Sequence, residues 1–193
     1  MHLRVTYPAC ADSVVISVSG RMTALIRIDR SYASAGNERQ KPIRFCSRCG
    51  HPSEAEADRL QPGARVCDRC GMGMLLTCAR DAMPGEAAAF LIATFDLGVS
   101  AVSQAGERIF GGEQSVVGMQ VLDLIGSPLG DDQLARYVGQ AAQREGDAVV
   151  MPVRLTGDSE KPARLGTLAA RIATCGPPRA ALITVEPSEF GRR

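Results

Sequence analysis

Four of the seven cysteines fall in two Cys-x-x-Cys pairs, Cys46/Cys49 and Cys67/Cys70, and each pair is followed at once by a glycine. The 17 residues between them, Gly50 to Val66, lie within the separation at which two such turns close on a single tetrahedral ion. Two thiolates three positions apart can wrap one ion in a tight turn. Gly50 and Gly71 then let the backbone turn back with positive φ, where a side chain would clash. Four sulfurs leave no coordination position for water or substrate. The pattern therefore predicts a structural metal, Zn2+, held by Cys46, Cys49, Cys67 and Cys70, whose binding supplies folding free energy to a stretch too short for its own core.

Three other chemistries share these residue types. Disulfides would require an oxidising compartment, whereas the N-terminus carries no signal-peptide pattern and the cysteine count is odd. A rubredoxin-like iron centre uses the same turns, yet such sites sit in compact aromatic cores and only Phe45 is near. His51, directly after the first turn, could replace a thiolate, although four cysteines already satisfy the ion. Zinc leads, with these three left open.

Catalysis finds little support. The two histidines, His2 and His51, lie outside the larger C-terminal region, which leaves no base for a hydrolytic triad there. There is no phosphate-binding glycine loop, nucleophile elbow or metalloprotease helix. The carboxylate pair Asp131/Asp132 reads as helix capping. We expect no catalytic residues and no enzyme. The 193 residues are 45% hydrophobic, enough for a core, but only 4% aromatic with no tryptophan, which argues against base-stacking platforms. No apolar run reaches the roughly 20 residues of a membrane span, and the expected location is the cytoplasm. Residues 1–80 carry 12 Lys+Arg against 7 Asp+Glu (+5), and residues 81–193 carry 10 against 14 (−4). A solvated face explains the basic half more simply than a nucleic-acid surface does.

The chain divides at composition breaks into an N-terminal hairpin and linker (1–41), a cysteine module (42–80) and a larger domain (87–190). Val14, Ile16 and Val18 alternate, Ser19-Gly20 turns, and Leu25 to Ile28 returns. Ser31 to Lys41 reads as linker, and Ala55 to Leu60 as a helical turn or two stopped at Pro62-Gly63. Met72, Met74, Leu75 and Leu76 are expected to pack under the cysteine module or against the next domain, and Cys10, Cys78 and Cys175 to be ordinary buried thiols. Beyond Pro84-Gly85, strands are expected at Phe90–Phe95 and Val99–Val102. Short helices follow at Ala105–Phe110, Glu113–Val117 and Val121–Ile125, and a longer one runs from Asp131/Asp132 to Arg144. Three strands, 149–155, 165–173 and 180–185, close the chain. In the longer helix Leu134, Tyr137, Val138 and Ala141 make one apolar face. This order predicts an α+β fold, a five-stranded antiparallel sheet with helices on one face.

The stretch Phe95-Asp96-Leu97-Gly98-Val99-Ser100-Ala101-Val102-Ser103-Gln104-Ala105-Gly106-Glu107-Arg108-Ile109-Phe110-Gly111, with Val117-Gly118 and Leu122-Asp123-Leu124-Ile125 after it, resembles a PAS domain across about residues 87–187. Gln104 stands where that pattern usually has asparagine. The resemblance implies a sensor or dimerisation module with a pocket between sheet and helices. The region has no histidine for haem, and its one cysteine, Cys175, falls in a late strand rather than where a flavin-adduct cysteine would sit. Residues 43–76 resemble a zinc ribbon, a family that docks proteins or nucleic acids. Together these imply a non-enzymatic regulatory protein, a PAS-like homodimer coupled to a structural zinc module. That module would dock a protein partner, or DNA through Arg44, Arg48, Arg65 and Arg69 in transcription regulation. A thiol-based redox sensor that releases zinc on oxidation is the second class.

Overall fold

A computed structural model describes residues 42–53, 65–143, 146–156 and 166–187, together with the backbone of three N-terminal strands. The expected linker at 31–41, the helix at 55–60, Cys10 and the turn at 157–158 lie outside the described residues. The three N-terminal strands, β1 (Arg4–Thr6), β2 (Val14–Val18) and β3 (Met22–Ile26), form an antiparallel sheet in the order β1-β2-β3. The expected pairing of Val14–Val18 with a return strand is present, but the return runs Met22–Ile26 and not Leu25–Ile28; the turn at Ser19-Gly20 and Ile28 lie outside the described residues.

The remaining strands form one curled antiparallel sheet of an α+β structure. Its strands are β4 (Pro42–Cys46), β5 (Pro52–Ser53), β6 (Leu75–Ala79), β7 (Ala89–Ala93), β8 (Val99–Val102), β9 (Ile125–Gly126), β10 (Val149–Leu155), β11 (Leu168–Gly176) and β12 (Ala180–Pro187). Between β8 and β9 run three single-turn helices, α1 (Glu107–Phe110), α2 (Glu113–Val116) and α3 (Val121–Leu124), and α4 (Asp131–Gln143) follows β9. The five strands expected C-terminal to Gly85 all belong to this sheet. It is larger than expected because the cysteine module extends it, in the order β5-β4-β6-β11-β12-β7-β8.

The extension occurs on β11. One edge of β11 pairs with β12 along Leu168–Cys175; the other pairs first with β10 (Leu168–Ile172) and then, at Cys175 and Gly176, with Cys78 and Thr77 of β6. A nine-residue strand is long enough to serve two partners in turn.

Strand β7 and residues 180–185 of β12 are buried on both faces, which explains their almost wholly apolar sequences, Thr184 being the exception. Their alternate residues enter two cores. Leu91, Ala93, Ala181 and Ile183 face the helices, packing with Leu134 and Val138 of α4 and with Val116, Val121 and Ile125. Phe90, Ile92, Ala180 and Leu182 face the other way and pack with Phe45, Leu76 and Cys78 of the cysteine module. Phe45 meets Phe90 edge to face, ring centroids 5.9 Å apart, an arrangement favoured by the ring quadrupoles. The module therefore shares a core and a sheet with the larger domain. Leu76 is buried as expected, but Met72 and Met74 are exposed, because they sit in the turn leading to β6 rather than on its inward face.

One expected detail differs at α4. The Asp131 carboxylate accepts the N–H of Ser127 at 3.0 Å, tying down the preceding turn, and the Leu134 N–H reaches the carbonyl of Gly130. Asp131 thus sits inside the first turn of α4 and braces the loop before it.

Candidate metal centre

Strand β4 runs directly into Cys46, and β5 returns beside it with Pro52 opposite Phe45. The turn between them is closed by the Gly50 N–H on the Cys46 carbonyl (3.0 Å) and the Cys46 N–H on the His51 carbonyl (3.0 Å). The second turn repeats the design: the Gly71 N–H reaches the Cys67 carbonyl (2.9 Å), the Cys67 N–H reaches Gly73 (2.8 Å), and Val66 bridges Met74. Gly50 and Gly71 adopt φ of 70° and 67°, the left-handed turn that their places after Cys49 and Cys70 require.

The two turns clasp each other. The Ser47 N–H donates to the Met74 carbonyl at 2.8 Å, and the Met74 N–H returns to Ser47 Oγ at 3.0 Å. Gly73 makes that approach sterically feasible. A Cβ at this position would lie 2.2 Å from Cys46 Sγ and 2.9 Å from Arg48 Cβ.

The result is a cluster in which the sulfurs of Cys46, Cys49, Cys67 and Cys70 all lie within 4.8 Å of one another. Cys46 and Cys70 are 3.6 Å apart, Cys49 and Cys67 3.9 Å. Four sulfurs each about 2.3 Å from a central ion stand about 3.8 Å apart in a tetrahedron. The donor set therefore fits one thiolate-bound metal ion.

Backbone dipoles prepare individual sulfurs. Cys70 Sγ accepts the Gly73 N–H at 3.4 Å, and this bond with that of Met72 pulls its thiol down to about 6. Cys46 Sγ accepts two N–H groups, from Arg48 and Cys49, both at 3.4 Å, but burial dominates and pushes it up to about 12; burial also raises Cys49. Burial disfavours the thiolate at Cys46 and Cys49, a cost that a bound divalent ion would offset, so metal binding at this site would release protons.

His51 stands apart from the sulfur cluster. Its Nδ1 lies 2.9 Å from Glu86 Oε1 and 2.7 Å from Arg69 Nη1, and Arg69 also donates to Glu86 at 2.6 Å. Hydrogen bonds from His51 and Arg69 hold the Glu86 carboxyl below its ordinary range. This partly exposed trio links both cysteine turns to the connector before β7. Cys78 and Cys175 are buried opposite each other in the β6–β11 pair, away from the site, and burial pushes both up to about 12.

Of the four arginines considered for nucleic acid, Arg48 and Arg69 are engaged by Glu107, Glu113 and Glu86. Sequence reasoning missed the roles of Ser47, Gly73 and Arg48. The Gly71-Met72-Gly73 repeat was the one available signal, since a second glycine so close to a ligand often marks a tight approach. Among the described residues no helix is long and apolar enough to cross a membrane. Neither a scan against protein-family models nor a search of curated proteins returns a match to this chain.

Proposed function

We propose that this chain is a non-enzymatic regulatory protein in which a structural Zn2+ held by Cys46, Cys49, Cys67 and Cys70 shapes a zinc-ribbon-like module. That module is fused to a PAS-like sheet and docks a protein partner. The observation that carries this reading is the cluster of four cysteine sulfurs, all within 4.8 Å of one another, on strands that continue the sheet of the larger domain. Zinc suits it because a full thiolate set has no open position for chemistry and zinc brings no redox chemistry of its own. Leu91, Leu134, Val138, Met151 and Ile183 under α4 are almost wholly buried against one another, so this face is the core of the larger domain and any docking uses surface elsewhere on the chain.

Protein docking is favoured over DNA because two of the four module arginines already pair with carboxylates of the chain, and single charges held this way add little to phosphate attraction. The test is elemental analysis of the purified protein with its native mass before and after chelation. One zinc per chain in a dimer is the expected result. Iron, or no metal even after incubation with zinc under reducing conditions, would overturn the reading.

A further inference from the structure

Arg48, between the two ligands of the first turn, is joined to three different parts of the molecule. Its N–H donates to the ligand sulfur Cys46 Sγ at 3.4 Å. Its carbonyl accepts the Gln104 N–H at 2.8 Å, just ahead of α1. Its guanidinium donates from Nη1 to Glu113 Oε2 at the start of α2 and places Nη2 3.6 Å from Glu107 Oε1 at the start of α1. Its backbone also abuts Gly73 of the second turn, so its position depends on both turns being closed.

The helices it holds are short and anchored mainly through Val116 and Phe110 on the core and the Gly106 N–H on Ser103 Oγ. Each of α1 and α2 is a single turn of four residues; α1 buries none of its residues fully and α2 only Val116. Helices this short do not persist without tertiary contacts. Beyond α2, residues 117–120 are all exposed, Val117 and Met119 among them.

We propose that Arg48 couples metal loading to the order of the α1–α2 segment. With the four thiolates closed on a metal, Arg48 is fixed and holds Glu107 and Glu113. When the metal leaves, the turns open, Arg48 loses its frame, and residues 104–117 loosen, while Gly118 and Met119 stay tied to Val99 of β8. Metal occupancy is thereby reported on a surface formed by the larger domain. This rests on the reading of the four cysteines as a metal site.

The test is amide hydrogen exchange on the full chain, with metal content measured in each sample. The reporters are the N–H groups of Phe110, Gly111, Val116 and Val117, which close α1 and α2 on Gly106, Glu107, Gly112 and Glu113; those of β12 serve as reference. In the metal-loaded Arg48→Gln variant these four amides should exchange about fivefold faster than in the parent, the factor expected from losing a partly exposed charge network, while the β12 amides stay unchanged. Chelation of the parent should accelerate the same four amides. If Arg48→Gln fails to retain metal, the Glu107→Gln/Glu113→Gln variant, which leaves the cysteine turns untouched, must show the same acceleration with metal bound. Unchanged exchange at the four amides in a metal-loaded variant overturns the coupling and leaves the metal site standing. Failure of the parent to take up zinc overturns both.

Discussion

Replacing Gly73 with alanine should damage the metal centre more than replacing either glycine that stands in the left-handed region. Gly73 has no unusual φ, but its added Cβ would fall 2.2 Å from Cys46 Sγ, 2.9 Å from Arg48 Cβ and 3.0 Å from Arg48 N. The sulfur has no room to withdraw, because it stands within 4.8 Å of three other sulfurs and accepts two backbone N–H groups. The backbone nitrogen is fixed by the clasp between Ser47 and Met74. Overpacking a tight site costs about 1–3 kcal/mol, and an overlap against a fixed ligand belongs at the upper end. At about 1.4 kcal/mol per tenfold, zinc affinity should fall about 100-fold. Gly71→Ala meets nothing within 4 Å and bears only the left-handed backbone cost of its φ of 67°, about 1 kcal/mol or roughly fivefold in affinity. Gly50→Ala combines a φ of 70° with a Cβ 2.9 Å from the Gly85 carbonyl and should fall between the two. Competition against a chromophoric zinc chelator measures all three. A Gly73→Ala protein within threefold of the parent, or weaker binding by Gly71→Ala than by Gly73→Ala, would refute the steric reasoning.

Serine in place of Cys46 or Cys67 should lower zinc affinity by at least about 100-fold, since four ligands share the roughly 10–16 kcal/mol of a structural site; the same competition assay reads it, and unchanged stoichiometry and affinity would remove that ligand from the set. Ser103→Ala should cost about 2–4 kcal/mol in chemical denaturation, because buried Ser103 Oγ accepts the N–H groups of Phe90 (3.0 Å) and Gly106 (2.9 Å) while donating to Ala88 and alanine leaves both donors unpaired. Stability should fall as pH rises above 9. Burial raises Cys78 and Cys175 from 9.0 to about 12, so in that window the folded state binds more protons than the unfolded state. The loss is on the order of 1 kcal/mol per thiol for each pH unit between 9 and 12, and Cys175→Ala should flatten the alkaline limb. In metal-free protein at neutral pH, iodoacetamide should modify Cys70 well before Cys78 or Cys175, because backbone N–H groups lower Cys70 to about 6 while burial raises the other two; peptide mapping that found the buried pair labelled first would contradict the assignment.

Much of the element order was readable because local rules and tertiary demands agree. The single-turn helices α1, α2 and α3 fall within a residue or two of their expected spans; α1 is stopped by Gly111 at φ 113°, whereas α2 and α3 pass into extended backbone at Val117 and Ile125. Residues 149–155 form β10 as expected, while β11 and β12 run on to Gly176 and Pro187. Both overruns have a tertiary cause: the end of β12 pairs with Leu168 and Ala169 of β11, and the end of β11 gains β6 as a partner, a neighbour 97 positions away, as between Cys78 and Cys175, that no local pattern encodes. The same reason hid Ser103 and Gly73, a polar atom and a missing side chain whose importance lies only in what surrounds them.

What the sequence determined by itself is the chemistry: four thiols in two turns with glycines in the left-handed places, since ligand type, short-range spacing and φ are properties of a few adjacent residues. What only the tertiary structure decided is how that chemistry is connected. Phe45 packing on Phe90, Cys78 of β6 pairing with Cys175 of β11, and Arg48 reaching Glu107 and Glu113 join residues 45, 97, 59 and 65 positions apart. Contacts of that range follow from which faces must be buried together, and burial is a property of the whole chain.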